Sequence, residues 1–214
     1  MIRLADLDAV LFDLDGTLIY TPYEYRQIIV SKVLEDMEIK TCCMEDINMF
    51  WYGTDRSGII KKHFGVKPGL FWESYREHDT VELRKQFVRP YDDVDYIHEL
   101  RKRGIKTAIV TGAPPNIADM EIEILGRDNF DAVVIASPLN GRQPKPNPEC
   151  IEECLGILNV KKSKAVYVGN AEEDIMAANN AGLPGILIDR GEFPYDFTKI
   201  KPLFIIDSLY KLRY

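Results

Sequence analysis

Short apolar runs alternate with amphipathic helical patterns along most of this 214-residue chain. Such alternation predicts an α/β core with a mainly parallel sheet and helices on both faces, because parallel strands need crossover connections and are buried on both sides. The predicted strands lie near Ala9–Phe12, Thr107–Val110, Ala132–Ala136, Ala165–Val168, Gly185–Ile188 and Leu203–Ile206. The predicted helices of this core lie near Asp92–Arg103, Asn116–Leu125, Pro148–Leu158 and Asp174–Ala181.

The stretch from residue 19 to residue 88 breaks this rhythm and contains no convincing strand. Helical patterns occur near Tyr23–Met37, Met44–Tyr52, Asp55–Phe64 and Pro68–Val88. We therefore predict a helical insertion at residues 19–88, with the core formed by residues 1–18 and 89–214. Both tryptophans, Trp51 and Trp72, fall in the insertion, where aromatic side chains are more typical of a local core than of ligand contacts.

The segment Asp13-Leu14-Asp15-Gly16-Thr17-Leu18 directly follows the first predicted strand. Two carboxylates two residues apart at a strand end leave the sheet together, and Gly16 permits the sharp turn that exposes them. Such a pair suits phosphoryl chemistry, since one carboxylate can attack phosphorus while the other carries a proton. An ordinary acidic strand-to-loop turn is the alternative interpretation of the same residues.

Three later segments also fall near predicted strand ends. Thr111-Gly112 follows the second strand, Lys145 lies in the loop Pro144–Glu149, and Gly169-Asn170 follows the fourth strand, with Asp174 four residues on. Ligands of parallel α/β sheets bind beyond the carboxyl ends of the strands, at a switch in strand order. The segments therefore predict one shared site, although a solvated lysine and a loop-capping threonine are alternatives for two of them.

Taken in order, the four segments resemble the signature motifs of the haloacid dehalogenase-like (HAD) hydrolase superfamily, from about Leu7 to Ile206. The resemblance implies a Rossmann-like core with an inserted helical cap, and a phosphatase similar to phosphoglycolate phosphatases. It also implies Mg²⁺ as cofactor and a small phosphorylated metabolite, such as phosphoglycolate or a sugar phosphate, as substrate. A cap excludes water and selects substrate. A purely structural subdomain is the alternative role for the insertion.

The resemblance assigns a role to each motif residue. Asp13 would be the nucleophile that forms an aspartyl-phosphate, and Asp15 would be the general acid and then the general base. The phosphate-binding residues would be Thr111, Gly112, Ala113 and Lys145. The Mg²⁺ ligands would be Asp13, the backbone carbonyl of Asp15, Asn170 and Asp174. Family members that attack carbon–halogen bonds lack the second aspartate, so Asp15 favours phosphorus chemistry.

Asn170 departs from the family pattern, which has an aspartate at this position. Its amide still offers a carbonyl oxygen, but one negative charge is missing, and Glu172, Glu173 or Asp174 would have to compensate for it. The change leaves open weak metal affinity, a different reaction or lost activity.

The alternatives to a phosphatase are a phosphomutase, a dehalogenase, a phosphonatase with a Schiff-base lysine at Lys61 or Lys62, and a non-catalytic regulatory member.

Arg56, which follows Gly53-Thr54-Asp55 in the insertion, is a candidate contact to a substrate anion, with an ordinary surface arginine as the alternative.

A net charge of −7 argues against a nucleic-acid partner, because phosphate backbones need a basic surface. No apolar stretch approaches the roughly 20 residues of a membrane span, and the N-terminus does not resemble a signal peptide. We expect a cytoplasmic monomer or homodimer, which four cysteines in a reducing compartment would fit.

Overall fold

The computed structural model of the protein describes residues 6–39, 42–194 and 200–212. The chain forms two compact units. The first contains the chain up to Tyr20 and from Arg89 onwards, and the second is Thr21–Val88. Within the described residues, no helix combines the length and the apolar character that crossing a bilayer requires.

The first unit contains a six-stranded sheet and a two-stranded sheet. The strands are β1 (Ala9–Phe12), β2 (Ile19–Tyr20), β3 (Arg89–Pro90), β4 (Lys106–Thr111), β5 (Ala132–Ile135), β6 (Ala165–Gly169), β7 (Gly185–Ile188) and β8 (Phe204–Ile206). The larger sheet has the order β5-β4-β1-β6-β7-β8, and all of its pairings are parallel. The smaller sheet consists of β2 and β3. The predicted α/β fold with a mainly parallel sheet is therefore confirmed.

Strand β1 lies at the centre of this sheet, between β4 and β6. The chain runs outward from β1 to β4 and β5 and then returns to place β6 on the other side of β1. The register sets Phe12 opposite Ile109 on one side and opposite Val168 on the other. This reversal of direction makes the carboxyl ends of β1, β4 and β6 the place where sheets of this kind bind ligands.

Strand β2 corrects the prediction that residues 19–88 contain no strand. Ile19 and Tyr20 pair antiparallel with Pro90 and Arg89, so they belong to the first unit. The sequence could not show this ladder, because two residues are too few to display an alternating pattern. The helical unit accordingly begins at Thr21, two residues after the predicted boundary.

The second unit is helical throughout its described elements and packs around aromatic side chains. Its helices are α1 (Tyr23–Asp36), α2 (Met44–Tyr52), α3 (Arg56–Ile59), α4 (Pro68–His78) and α5 (Val81–Arg84), with a π-helical turn at Ile60–Phe64. Rings of this core contact one another with centroids between 5.0 and 6.1 Å apart, and they belong to Phe50, Phe64, Phe71, Trp72 and Tyr75. The aromatic residues thus build the core of this unit.

The helix predicted over residues 68–88 is interrupted at Asp79 and Thr80. The Asp79 carboxylate accepts hydrogen bonds from the Tyr25 hydroxyl at 2.6 Å and from Arg84 at 3.2 Å. Thr80 then caps α5, since its hydroxyl accepts from the Leu83 N–H. A long-range polar network and a local cap together override the helical pattern, and neither is visible as hydrophobic periodicity.

Helices of the first unit cover the parallel sheet. They are α6 (Tyr96–Lys102), α7 (Pro115–Leu125), α8 (Glu149–Leu158) and α9 (Glu172–Ala181). Cys154 and Leu155 of α8 are buried in the same cluster as Leu11 and Ala178, so the prediction that Cys154 is a core residue is confirmed. All four cysteines are free thiols.

All four helices begin away from the predicted residue, and for α7 the difference is a single residue, since it begins at Pro115 instead of Asn116. Helix α8 begins at Glu149 instead of Pro148, because the Asn147 side chain accepts the Glu149 N–H at 2.9 Å. Helix α9 begins at Glu172, which places Asp174 within its first turn. Helix α6 begins only at Tyr96. The Asp93 carboxylate before it accepts hydrogen bonds from three partners outside the helix, namely Arg190, Ser208 and the Leu209 N–H.

Candidate active site

The loop that follows β1 turns sharply at Gly16. The Asp13 N–H donates to the Val168 carbonyl at 2.9 Å, so the chain still pairs with β6 where the carboxylate leaves the sheet. Gly16 has a φ of +76°, and a Cβ at this residue would lie 2.2 Å from Asn170 Nδ2. Any side chain there would be strained and would displace Asn170. The glycine therefore allows the loops after β1 and β6 to lie against each other.

A buried lysine ammonium joins two carboxylates at the carboxyl ends of these strands. Lys145 Nζ donates to Asp13 Oδ1 at 2.6 Å and to Asp174 Oδ1 at 2.5 Å. Each of the three side chains is less than a tenth exposed. Three of the residues predicted from separate motifs are therefore brought into direct contact.

Burial and neighbouring charges act in opposite directions on this cluster. Burial, followed by the charge of Asp174, raises the pKa of Asp13 to about 7, and the Lys145 ammonium opposes this rise. Burial alone would lower the pKa of Lys145, but the Asp13 and Asp174 carboxylates outweigh it and hold that pKa well above its ordinary value. Lys145 is therefore a permanent cation at this position.

Tyr167 provides the third contact of the lysine. Its hydroxyl accepts from Lys145 Nζ at 3.2 Å and donates to the Val110 carbonyl of β4 at 2.8 Å. The same oxygen lies 3.4 Å from Asp174 Oδ1. Because an ammonium has three donors, Asp13, Asp174 and Tyr167 account for all of them. The phenol of β6 thus connects the lysine to β4, the strand on the other side of β1.

Asn170 is connected to Asp13 through a hydroxyl group. Thr17 Oγ1 lies 3.2 Å from Asn170 Oδ1 and 3.4 Å from Asp13 Oδ2, and it is fully buried. Gly169 leaves room for Asp174, since a Cβ on this glycine would lie 2.4 Å from Asp174 Cγ. The small residues at positions 16 and 169 therefore permit the close approach of the polar side chains.

The segment after β4 has a local turn of its own. Thr111 Oγ1 accepts the Ala113 N–H at 3.1 Å, so this N–H, which was predicted to bind phosphate, is engaged within the segment. The Thr111 hydroxyl still has its proton to donate. A Cβ on Gly112 would meet no described atom within 4 Å, so the space beside this residue is open.

Asp15 and Arg56 complete the predicted set. Asp15 is half-buried in the turn after β1. Its negative charge also raises the pKa of Asp13, but by less than burial and the charge of Asp174 do. Arg56 belongs to the helical unit, where it begins α3 and its Nη2 donates to the Trp51 carbonyl at 3.3 Å. Asp55 caps this helix by accepting the Gly58 N–H at 2.9 Å.

The oxygen donors of the cluster suit a hard divalent cation. The Asp13 and Asp174 carboxylates both contact Lys145 Nζ, and the Asn170 amide oxygen lies within reach of Thr17. Carboxylate and amide oxygens are the donor types that Mg²⁺ takes. Among the described residues, no three Asp, Glu, His or Cys side chains are grouped so that they could hold a metal. A cation at this place would therefore have the neutral Asn170 amide as its third side-chain donor, beside the two carboxylates.

Sequence reasoning did not identify Thr17 or Tyr167 as site residues. Tyr167 carried one signal, because it is the single polar side chain in the buried strand Ala165–Gly169. Thr17 carried a weaker signal, because it is a hydroxyl residue within the turn that bears both aspartates. The contacts of both residues join segments that are distant in the sequence, and no spacing rule predicts such contacts.

Comparison with known proteins agrees with this fold. The sequence model of the family described as "Haloacid dehalogenase-like hydrolase" matches residues 10–188. A pyrophosphatase, PpaX, of Halalkalibacterium halodurans is 30% identical over 213 residues, which cover 95% of this chain and 94% of that protein. The crystal structure of a protein from Bacteroides fragilis named as a haloacid dehalogenase-like hydrolase superimposes with a TM-score of 0.82 at 20% identity, covering 96% and 99% of the two chains.

The α/β core places polar residues at the carboxyl ends of its central strands, which is where sheets of this kind bind ligands. The chain belongs to the haloacid dehalogenase-like hydrolases. The prediction of a phosphatase-like member of this superfamily is thereby confirmed.

Proposed function

We propose that this protein is a Mg²⁺-dependent phosphatase that hydrolyses a small phosphate monoester through an aspartyl-phosphate intermediate. The observation that carries the proposal is the buried contact of Lys145 with Asp13 and Asp174 at 2.6 and 2.5 Å. A permanent cation beside a nucleophilic carboxylate offsets the repulsion between that carboxylate and a phosphoryl group.

The reaction proceeds in two displacements. An Asp13 carboxylate oxygen attacks phosphorus, the bond from phosphorus to the ester oxygen breaks, and Asp15 donates its proton to the departing alkoxide. The resulting Asp15 carboxylate then takes a proton from water as that water attacks the aspartyl-phosphate. The acyl phosphate bond breaks, inorganic phosphate leaves, and both aspartates return to their starting protonation states. The Thr111 hydroxyl donates to the phosphoryl oxygens throughout, and the positive charge of Lys145 beside Asp13 offsets their negative charge.

Asp13, the backbone carbonyl of Asp15, Asn170 and Asp174 would hold Mg²⁺. The ion supplies positive charge that neutralises the phosphoryl oxygens. Phosphatases of this superfamily generally use it.

In the helical unit, Arg56 is proposed to contact a substrate anion. A cytoplasmic location and a monomeric or homodimeric state remain predictions from the sequence.

The names of relatives suggest substrates to test first. The Halalkalibacterium relative is named as a pyrophosphatase. Release of phosphate from p-nitrophenyl phosphate with Mg²⁺, followed by pyrophosphate, phosphoglycolate and sugar phosphates, tests the proposal. Hydrolysis that is lost with a chelator and restored by Mg²⁺ is expected. No release from any of these compounds would favour the non-catalytic alternative.

The remaining alternatives gain no support from the structure. A phosphonatase lysine must react as the neutral amine, which burial favours, whereas Lys61 and Lys62 are both exposed. A dehalogenase would not need Asp15, because a halide leaves without a proton. Asp15 is present in the turn after β1, where an alkoxide leaving group requires a proton donor. A phosphomutase would appear in the assay as transfer to a second hydroxyl without net release of phosphate.

Asn170→Asp is expected to bind Mg²⁺ about tenfold more tightly, a gain of about 1.4 kcal/mol. The introduced carboxylate attracts the cation, and the cation offsets the repulsion from Asp13 and Asp174 in the bound state. Isothermal titration with Mg²⁺ measures this directly, and exposed Asn140→Asp is the control for net charge. Unchanged or weaker binding would show that Asn170 does not contribute to the metal site.

Tyr167→Phe is expected to lower kcat about tenfold while KM stays within about twofold. Loss of the hydroxyl frees Lys145 to shift, and even small misplacements of a group that acts in the transition state are costly. Tyr25→Phe is the matched control, because it also removes a buried hydroxyl that contacts a carboxylate, but within the helical unit. An equal loss of kcat in both variants would contradict a positioning role for Tyr167.

A further inference from the structure

Arg190, in the segment after β7, contacts the turn that carries the two candidate catalytic aspartates. Its Nη2 donates to the Thr17 carbonyl at 2.6 Å, although the two residues are 173 positions apart in the chain. Thr17 is fully buried, and both residues belong to the first unit. The segment after β7 thus adds a group to those that follow β1, β4 and β6 at the same edge of the sheet.

A buried carboxylate holds the edge of the Arg190 guanidinium. Nη1 donates to Asp93 Oδ2 at 2.7 Å and Nη2 donates to Asp93 Oδ1 at 3.0 Å, which is the bidentate geometry of strong guanidinium–carboxylate pairs. Both side chains are less than a tenth exposed. Because Nη2 carries two hydrogens, it contacts Asp93 and the Thr17 carbonyl at the same time.

Further contacts fix the orientation of this ion pair. The Tyr91 ring lies on the face of the guanidinium, with its centroid 4.0 Å from Arg190 Cζ. Asp93 also accepts hydrogen bonds from the Ser208 hydroxyl at 2.8 Å and from the Leu209 N–H at 2.7 Å. Burial alone would raise the pKa of Asp93, but the hydrogen bonds from Arg190 and from the Leu209 N–H outweigh it and lower that pKa. Both members of the pair are therefore charged and held in one arrangement.

The backbone of the turn determines where the Thr17 hydroxyl lies. This hydroxyl is 3.4 Å from Asp13 Oδ2 and 3.2 Å from Asn170 Oδ1. The next carbonyl of the turn, that of Leu18, accepts the Tyr91 N–H at 3.0 Å. Contacts from distant segments thus hold two successive carbonyls of the turn that bears the candidate nucleophile.

We propose that Arg190 is a positioning residue of the active site, which holds the Thr17 carbonyl and thereby orients the hydroxyl that contacts Asp13 and Asn170. The expected effect on turnover rests on the proposed phosphatase function, whereas the hold on the turn is measurable without turnover. Arg190→Lys separates this role from simple stabilisation. It keeps a cation beside Asp93 but lacks the planar fork that contacts both partners at once.

Arg190→Lys is expected to lower kcat for p-nitrophenyl phosphate about tenfold while KM stays within about twofold, because small misplacements of reacting groups are costly. Its melting temperature should stay within about 4 °C of that of the natural protein, since Asp93 keeps a cation. Arg190→Met should melt about 5–10 °C lower, because it leaves the Asp93 carboxylate buried without one.

Arg101→Met is the matched control. Arg101 also donates to a carboxylate, that of Asp131 at 2.9 Å, and to a backbone carbonyl, that of Asn129 at 3.1 Å. Both partners directly precede β5, at the opposite edge of the same sheet from Thr17. The control should therefore leave kcat within about twofold of the natural value.

A double-mutant cycle tests whether Arg190 acts through Thr17. Thr17→Val is nearly isosteric, removes the hydroxyl, and is expected to lower kcat at least about tenfold. Adding Arg190→Lys to it should lower kcat by less than a further factor of about two, because two residues that act through one contact are not additive. A combined loss equal to the product of the single losses would overturn the inference. A kcat for Arg190→Lys within about twofold of the natural value would also overturn it.

Hydrogen exchange measures the hold on the turn directly. The Gly16 N–H donates to the Ile19 carbonyl, and the Leu18 and Ile19 N–H groups donate to the Leu14 carbonyl. These amide hydrogens should exchange at least about tenfold faster in Arg190→Lys and at the natural rate in the control. Unchanged exchange in Arg190→Lys would contradict the proposal. Failure of the natural protein to hydrolyse p-nitrophenyl phosphate would instead overturn the proposed function, and the exchange rates would still decide whether the arginine holds the turn.

Discussion

Asp13→Asn is expected to reduce the release of phosphate from p-nitrophenyl phosphate by at least about 10³-fold, because an amide oxygen does not form the acyl phosphate. The substitution is nearly isosteric, so Lys145 keeps its contacts with Asp174 and Tyr167. A single-turnover experiment with the natural protein should trap phosphate on Asp13, and the variant should trap none. Activity within about tenfold of the natural protein would contradict the aspartyl-phosphate mechanism.

The stability of this variant distinguishes loss of chemistry from loss of fold. Burial and the charge of Asp174 raise the pKa of Asp13, which means that ionised Asp13 is unfavourable in the folded protein. The asparagine side chain is neutral and does not carry this cost of a buried charge. The melting temperature of the variant should therefore be unchanged or higher. Asp128→Asn, on an exposed residue, is the control for net charge and should retain full activity.

Asp15→Asn is expected to slow hydrolysis of an alkyl phosphate by about 10²–10⁴-fold, the usual contribution of general acid catalysis. The loss should be much smaller in the first step for p-nitrophenyl phosphate, because a phenolate departs without a proton. Both substrates depend on Asp15 again in the second step, when water must be activated. Rapid-quench kinetics should therefore show an initial burst of p-nitrophenol followed by slow turnover.

The burst separates the two roles that are proposed for Asp15. An aspartyl-phosphate should accumulate in the variant with the activated substrate, and it should not accumulate with the alkyl phosphate. Equal loss on both substrates with no burst would contradict the assignment of Asp15 as the acid. Asp13→Asn is the matched comparison, since it should show neither a burst nor an intermediate.

The hydrophobic pattern determined the core. Runs such as Ala9–Phe12 are short, continuous and bounded by turn residues, which is typical of strands buried on both faces. The sequence also located the motifs near strand ends, and parallel strands bring their carboxyl ends to one edge. This rule predicts that Asp13, Lys145 and Asp174 lie close together, and the three side chains are in contact.

Local rules failed where distant residues decide the backbone. Asp93 accepts hydrogen bonds from Arg190 and from residues near the C-terminus, so α6 begins four residues later than its hydrophobic pattern predicts. Asp79 ends α4 by pairing with Tyr25 and Arg84. A buried carboxylate needs partners wherever they lie in the chain, and this need outweighs helix propensity.

The sequence by itself therefore determined the α/β class and the family, and it predicted the helical insertion and the set of polar residues at the strand ends. Each of these depends on local periodicity or on the order of short motifs. Tertiary structure alone decided which atoms meet, such as Lys145 and Asp13 across 132 residues. It also decided which buried polar atoms lack a hydrogen-bond partner among the described residues, such as Nε and Nη1 of Arg26. Contact and desolvation depend on the folding of distant segments, which no short stretch of sequence encodes.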